Sequence, residues 1–519
     1  MGKFTQDAKD FLARILSSRK DKTPIKEEKF TFRSRAMPDE TFHVLSFEGS
    51  EGVSSLYSYT INLVSEKAGL DVEKILALPA LFIFQHPEGR HMVFQGVISE
   101  FQQFNQAHGL VFYRAVMVPK LWWLTQSCHN QVFLNQTAPE IIESVLKDGG
   151  LTSMDYELRL KEDYSRTYEY VCQYNETHYD FLCRWLEREG MYYYFELTST
   201  GEKVIITDTN LGHTFLPQGD TVRYSPVSGL EQGRRDEVAS SFNLIQKRLP
   251  ESLIIKNYNY NLPSLDLSVQ NRVDIAGLGR VYVYGDDFLT TEEGERLARL
   301  RKEVFNCRQK TFHGESSVTF LRPGFLFHLT DHYQDDFNNT YLTVSLQHEG
   351  DQTAHVMSAL SATKTSVEKT PFYKNTFTAI PSGIQYRSER KTSTPRIHGV
   401  IHAHIDASGS GQYAELDNQG RYKVILPFDL SGRGWGKAST WLRQVQPYAG
   451  SDHGFHFPLH KGTEVLLTFI DGDPDRPVIA GAVPNPVTPN VVTATNQTKN
   501  IIQTAGGNLY KTEDLDGKQ

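Results

Sequence analysis

The chain has 519 residues and a mass of 59.1 kDa, too much for one ordinary core, so about three domains are expected. Hydrophobic residues at 39% and charged residues at 22% describe a globular protein rather than a disordered or membrane-embedded one. With 54 basic against 62 acidic residues the net charge is −8, which argues against a general nucleic-acid binder, because such a protein needs a basic surface to displace phosphate counterions.

Phe4, Ala8, Phe11, Leu12, Ile15 and Leu16 recur at helical spacing, so residues 3–18 are expected to form an amphipathic helix. Together with the charged linker SSRKDKTPIKEEK it makes residues 1–29 an N-terminal extension. Asp7, Lys9, Asp10 and Arg14 interrupt its apolar residues, so it lacks a signal peptide's h-region, and synthesis in a reducing cytoplasm is expected. The four cysteines, Cys128, Cys172, Cys183 and Cys307, fit that compartment: none are spaced as a zinc knuckle or disulfide framework, and buried free thiols are the simplest reading.

From Phe30 the chain turns to short aromatic and β-branched runs: FTFRSR, TFHVLSFEG, YSYTINLVSE, LFIFQH, HMVFQGVISEFQQF and LVFYRAVMVP, each bounded by turn residues. Three helices interrupt the strands. The first follows Thr137-Ala-Pro-Glu140, with Ile141, Ile142, Val145 and Leu146 on one face. A second spans Thr177 to Glu189 and stops at Gly190, with Tyr179, Leu182, Trp185 and Leu186 on one side. The third begins at Thr290 with Glu293 as its capping partner and runs through Leu297, Leu300 and Val304. Residues 30–380 therefore read as two β-rich subdomains with helices between them. A Pro-, Ser-, Thr- and charge-rich stretch from 371 to 395 marks a boundary, with residues 381–395 as the linker.

Residues 396–486 offer five strand candidates, in IHGVIHAHID, YAELDNQGRYKVILPFD, STWLRQVQPYAG, GTEVLLTFIDG and RPVIAGAV, the number an OB-type barrel needs. In Val465, Leu466, Leu467, Phe469 and Ile470 both alternating faces are apolar. One face fills the barrel and the other is left for a second buried surface, most simply an interface between copies of the chain. Residues 487–519 are strand-prone but too polar to bury a core alone, so symmetric assembly is the expected solution for their backbone groups.

Searches for chemistry fail one after another. His348-Glu349 opens like a zincin helix, but the second ligand position is Gln352. Asp471-Gly-Asp473-Pro-Asp475 opens like a calcium loop, yet Arg476 stands where Gly is required and Ala482 where the bidentate Glu belongs. Asp471, Asp473, Asp475 and Arg476 are instead read as a turn whose carboxylates serve backbone amides. The Gly432–Lys437 stretch misses the Walker spacing, and Gly409-Ser410-Gly411 is no nucleophile elbow. His402 and His404, the loop residues His453, His456 and His460, and His328-Asp331-His332 lack ligand or nucleophile partners at useful spacing. No catalytic residue, metal site or cofactor is expected.

Several segments, in order, resemble the VgrG family of bacterial type VI secretion: MPDETFHVLSFEGSEGVSSLYSYTINLVSE, FQGVISEF, YRAVMVPKLWWL, QYNETHYDFLCRWLEREGMYYYFE, and GWGKASTWLRQVQPYAGSDHGFHFPLHKGTEVLLTFIDGDPDRPVIAGAVPN. The resemblance runs from about residue 30 to the end. It implies a mainly β fold: a phage-hub-like domain of two β-barrel-like subdomains at 30–380, an OB-fold spike base at 396–486, and the start of a trimeric β-helical needle at 487–519. It also implies a homotrimer seated on a tube of Hcp-like rings, tipped by a PAAR-type protein, in contact with baseplate components, and carrying effectors directly or through adaptors. A contractile apparatus would secrete it and drive it through target membranes. The needle proper does not follow residue 519, for which truncation is the expected reason. The alternative from another class, a phage-tail hydrolase of cell-wall polymer, requires two carboxylates across a cleft, and no pair can be nominated.

Overall fold

The computed structural model describes residues 28–86, 91–198, 201–226, 237–360 and 371–517; the helix expected at 3–18 lies outside them. Two compact units emerge. The first comprises residues up to 127, 138–165 and 177–393, and the second comprises 128–137, 166–176 and 394 onward.

The first unit is built on two six-stranded arrays. One runs in the order β1 (Phe30–Ser34), β4 (Ala80–Phe84), β5 (Met92–Ala107), β6 (Leu110–Val118), β3 (Ser55–Ser65), β2 (His43–Gly52). β2 then pairs with β21 (Thr340–Asp351), from Ser46 opposite Asp351 to Gly52 opposite Ser345. From β21 the second array continues through β20 (Leu326–Thr330), β14 (Thr221–Tyr224), β15 (Val238–Gln246), β19 (Lys310–Ser316) and β22 (Phe372–Pro381). Because β22 also pairs with β21, this second array closes into a barrel.

Each array has its own aromatic core. Phe47 lies 4.8 Å from both Phe30 and Phe82 in the first, and Phe312 lies 4.9 Å from Phe242 and 4.8 Å from Tyr341 in the second. Such pairs add about 0.5–1.5 kcal/mol each beyond simple burial. β22 occupies the beginning of the stretch read as a boundary. Its Tyr373, Asn375, Phe377 and Ala379 point inward between Lys374, Thr376 and Thr378, a period-two alternation that the Thr and Lys content disguised.

Among the described residues five α-helices accompany the strands: α1 (Val72–Ala77), α2 (Ala138–Asp148), α3 (His178–Glu189), α4 (Thr291–Asn306) and α5 (Thr353–Leu360). α2, α3 and α4 are the three expected; α1 and α5 are too short to show a periodicity. α2 buries Ile141, Ile142, Val145 and Leu146. Thr177 caps α3 by accepting the Asp180 N–H at 3.0 Å, and the helix ends on Gly190 at φ 75°. β12 (Tyr192–Thr198), β13 (Gly201–Thr207) and β9 (Tyr156–Arg159) form a small sheet. Another places β16 (Ser252–Asn257) between β17 (Leu267–Arg272) and β18 (Arg280–Tyr284), with Leu253, Ile255, Leu267 and Val269 packed against Leu297 and Leu300 of α4.

In the second unit an antiparallel sheet runs β24 (Lys423–Ile425), β23 (Ile401–Asp406), β25 (Glu464–Phe469), β26 (Pro477–Ala482). The segment STWLRQVQPYAG, expected as a fifth strand, contributes single bridges, Leu442 to Tyr422, Gln444 to Ile479 and Ala449 to Gly454; Pro447, with no N–H, stops a ladder from extending through it. Two earlier stretches join this unit as the pairs β7 (Cys128–Phe133) with β11 (Val171–Thr177) and β8 (Gln136–Thr137) with β10 (Thr167–Tyr168). They bring Val132, Tyr170 and Cys172 into a core with Ile405, Tyr422, Val465, Leu467 and Ile479. The chain ends in a hairpin of β27 (Lys499–Gln503) and β28 (Leu509–Glu513).

Candidate functional site

The strand singled out in the sequence is β25. Val465, Leu467 and Phe469 point into the core of the second unit, while Leu466 is half-buried on the opposite face. Ile470, also half-buried, has already entered a short 3-10 turn. On the outward face the register sets His402 against Leu466 and His404 against Glu464. His402 Nδ1 lies 2.6 Å from Glu464 Oε1, and Asn485 donates to Glu464 Oε2 at 2.7 Å. The hydrogen bonds from Asn485 and His402 hold the Glu464 carboxyl below its usual range.

In the following turn Asp473 and Asp475 serve backbone amides, whereas Asp471 faces the Arg476 side chain. Asp471 takes a left-handed conformation, φ 56°, and the Ile470 N–H donates to the Arg476 carbonyl at 3.1 Å. Asp473 Oδ1 accepts the Asp475 N–H at 3.1 Å, Asp475 Oδ1 accepts the Cys172 N–H at 2.6 Å, and Asp471 Oδ2 lies 3.4 Å from Arg476 Nη1. Each carboxylate has its own partner, so the three do not converge. Among the described residues no three His, Cys, Asp or Glu side chains are gathered as a metal centre requires.

The loop histidines of this unit lie against aromatic rings, exposed ones for His453 and His460 and the buried Tyr422 for His456. His453 stacks on Tyr448 at 4.7 Å, and His460 meets Tyr413 edge-on at 4.7 Å; His456 lies parallel to Tyr422 at 6.3 Å. The Phe455 N–H donates to the Tyr448 carbonyl, and Phe455 and Phe457 sit 4.9 Å apart, which gathers three exposed aromatic side chains on one hairpin. Trp435 is 69% exposed, its ring covered only by Lys461 Nζ at 4.2 Å. So much uncovered aromatic surface on one small unit is characteristic of a surface that another protein covers.

The terminal hairpin adds to it. The tail was expected to offer unpaired amides, and one edge of each strand is instead satisfied internally, from Lys499 opposite Glu513 to Gln503 opposite Leu509. Gly507, at φ 85°, makes the reversal possible. Among the described residues the outer edges of both strands have no strand partners, and Ile502, Leu509 and Tyr510 are exposed. An isolated two-stranded ribbon is marginal in water, so this element needs a surface to complete it.

The first unit holds a buried polar cluster that no local motif announces, because its members are far apart in sequence. Glu51 of β2 accepts from Tyr59 at 2.7 Å and from Arg322 Nη2 at 3.1 Å, and His348 Nε2 of β21 lies 3.0 Å from it. His348 Nδ1 is 2.8 Å from the Tyr373 hydroxyl, which also receives Asn375 Nδ2 at 3.0 Å. Burial raises the Glu51 pKa, but Arg322, His348 and Tyr59 outweigh it and bring the carboxyl down to about 2. Gln352, where a zincin would place its second histidine, is buried: its Oε1 accepts the Lys29 and Phe30 N–H groups, and its Nε2 donates to the Phe30 and Val44 carbonyls. His328 bonds Thr340 and His332 faces Asn338 and Gln334, so they form no dyad with Asp331. Cys172, Cys183 and Cys307 are buried thiols, whereas Cys128 is exposed.

Residues 50–354 match the family model of the phage tail baseplate hub (GPD), and residues 415–483 match that of the type VI secretion system/phage-baseplate injector OB domain. The type VI secretion system spike protein VgrG1b of Pseudomonas aeruginosa is 28% identical over 449 residues, which is 86% of this chain and 59% of that protein. VgrG1c of the same organism is 29% identical over 450 residues, 86% and 60% respectively. This chain thus spans less than two thirds of the length of these two relatives. Among solved structures, the E. coli c3393 protein, described as a type VI secretion component resembling the T4 bacteriophage tail proteins gp27 and gp5, superposes with a TM-score of 0.62 at 23% identity, covering 88% of this chain and 100% of that one. The chain belongs to the VgrG family of type VI secretion spike proteins, built on the phage tail baseplate hub.

Proposed function

We propose that this chain forms the hub and base of a type VI secretion spike, a homotrimer whose task is mechanical. The supporting observation is the second unit: an apolar strand with one face inside, exposed aromatic side chains at Trp435, Tyr448, Phe455 and Phe457, and a hairpin that pairs only with itself. Three copies brought together through this unit bury that surface and give the hairpin edges strand partners, the rigid solution for a body under axial load. On this reading Val465, Leu467 and Phe469 are barrel residues, Leu466 and Ile470 face the neighbouring copy, and residues 487–519 begin the shared needle.

In this role the two β arrays of the first unit sit on a tube of Hcp-like rings. Three copies of two arrays present six quasi-equivalent contacts to a sixfold tube. The spike carries a PAAR-type tip and effectors or adaptors, meets baseplate components, and leaves the cell by the type VI apparatus itself. No step of this work calls for bond chemistry or a cofactor.

Sedimentation of the purified chain tests the assembly, with three copies expected. In a bacterium with an active type VI apparatus, deleting the gene should stop release of the Hcp-like tube protein into the medium. Undiminished release, or a strictly monomeric particle at high concentration, refutes the proposal.

A further inference from the structure

The sheet β17–β16–β18 packs one face on α4, and its other face and one edge have features the spike role does not explain. β18, Arg-Val-Tyr-Val-Tyr, pairs only with β16 and is an edge strand. Val281 and Val283 turn to the core, while Tyr282 and Tyr284 are 57% and 58% exposed. The turn leading into it exposes Ile275 and Leu278 at 84% and 73%. Native edges are usually blunted by proline, lysine, bulges or a covering loop. This one has no proline, lysine or register shift, and its residues are strongly strand-forming.

Charge accompanies the open edge. The register places Arg272 of β17 and Arg280 of β18 on either side of Ser252, on the face away from α4. Both are exposed, and among the described residues neither has an ion pair. The third cation of the face, Lys256, is already engaged by Asp266 at 3.1 Å. On the β18 edge itself, the exposed Arg280 is followed on the same face by the Tyr282 and Tyr284 rings, and together they form a polarised seat.

We propose that β18 is a docking edge for an extended acidic segment of another protein, added to the sheet as a further strand. Main-chain hydrogen bonds to β18 supply the attachment, and alternate side chains supply the choice: a carboxylate beside Arg280, apolar residues against Tyr282 and Tyr284. This goes beyond the trimeric spike reading, and the contact does not depend on it.

The test uses the full chain and a short fluorescent peptide that carries one glutamate and two valines at successive alternate positions with threonine between them, capped at both ends, followed by anisotropy. It should bind about tenfold more tightly than the same peptide with lysine for glutamate, and weaken as salt is added. The surface change Arg280→Glu should invert that preference while thermal unfolding is unchanged, whereas Arg272→Glu, on the far strand β17, should leave the preference in place. A glutamate peptide N-methylated at alternate residues, which keeps its charge but loses one row of donors, should fail to bind. Equal binding of the acidic and basic peptides, undiminished binding of the methylated one, displacement by single-stranded DNA, or no binding because another copy covers the edge would each overturn the proposal. Loss of trimerisation with peptide binding intact would sink only the spike reading.

Discussion

Glu51 and Glu202 titrate in opposite directions within the same unit. Glu51 is held at about 2 by Arg322, His348 and Tyr59 against the cost of burial. Its ionised form therefore stabilises the fold, fully above the unfolded value of about 4.3 and progressively less as pH falls towards about 2. Burial pushes Glu202 up to about 8, although its hydrogen bond with Tyr57 and the charge of Arg322 pull it down. Its contribution has the opposite sign, complete below about pH 4.3 and lost as pH rises through about 8. We expect Glu51→Gln to flatten the acid limb of a stability profile, and Glu202→Gln to flatten the decline between about pH 4.3 and about pH 8, both measured as urea midpoints across pH. At neutral pH, Glu51→Gln should also cost about 3–5 kcal/mol, because it leaves the Arg322 charge buried and uncompensated. A profile that keeps both limbs in both variants would show that these carboxyls do not govern it.

At the scale of elements, caps and faces set what was legible. The α2, α3 and α4 boundaries follow from Thr, Glu and Gly signals within each segment. Thr177→Ala should accordingly cost about 1 kcal/mol in denaturant unfolding. Gly190→Ala should cost about 2 kcal/mol, since φ is 75° and a Cβ there would sit 2.5 Å from Leu300 Cδ2. β25 separates the two faces of one strand. Leu467→Asp buries a charge in the second unit's core and should unfold it, a loss of about 4 kcal/mol or more. Leu466→Asp should leave the monomer's melting curve alone and lower the sedimenting mass; identical behaviour of the two variants would remove β25 from the interface.

The strands of the first array were readable from alternation and aromatic content, whereas in the second β22 was hidden by its Thr and Lys content. Which strand joins which was not, because the β2–β21 and β21–β22 pairings link residues far apart in sequence and depend on the whole chain folding. For the same reason the Glu51–Arg322–His348 cluster left no mark, its partners standing 271 and 297 positions from Glu51. The β18 edge was missed differently: RVYVY reads as an ordinary strand, and only the sheet order shows that nothing lies beside it.

For the whole molecule, a mechanical body should yield no clearing in a cell-wall zymogram, and lysis by the purified chain would restore the hydrolase alternative. The make-up of the second unit carries a practical lesson. Residues 128–137 and 166–176 belong to it as fully as residues 394 onward. A recombinant fragment cut at 394 would begin without Val132, Tyr170 and Cys172, and Asp475 would lose the amide it caps. Such a piece should be insoluble or molten, and adding back the two short stretches should rescue it. Graftable chimaeras between relatives therefore have to exchange three ribbons at once, and on the ribosome the second unit must wait for the last quarter of the chain while its first parts are already out.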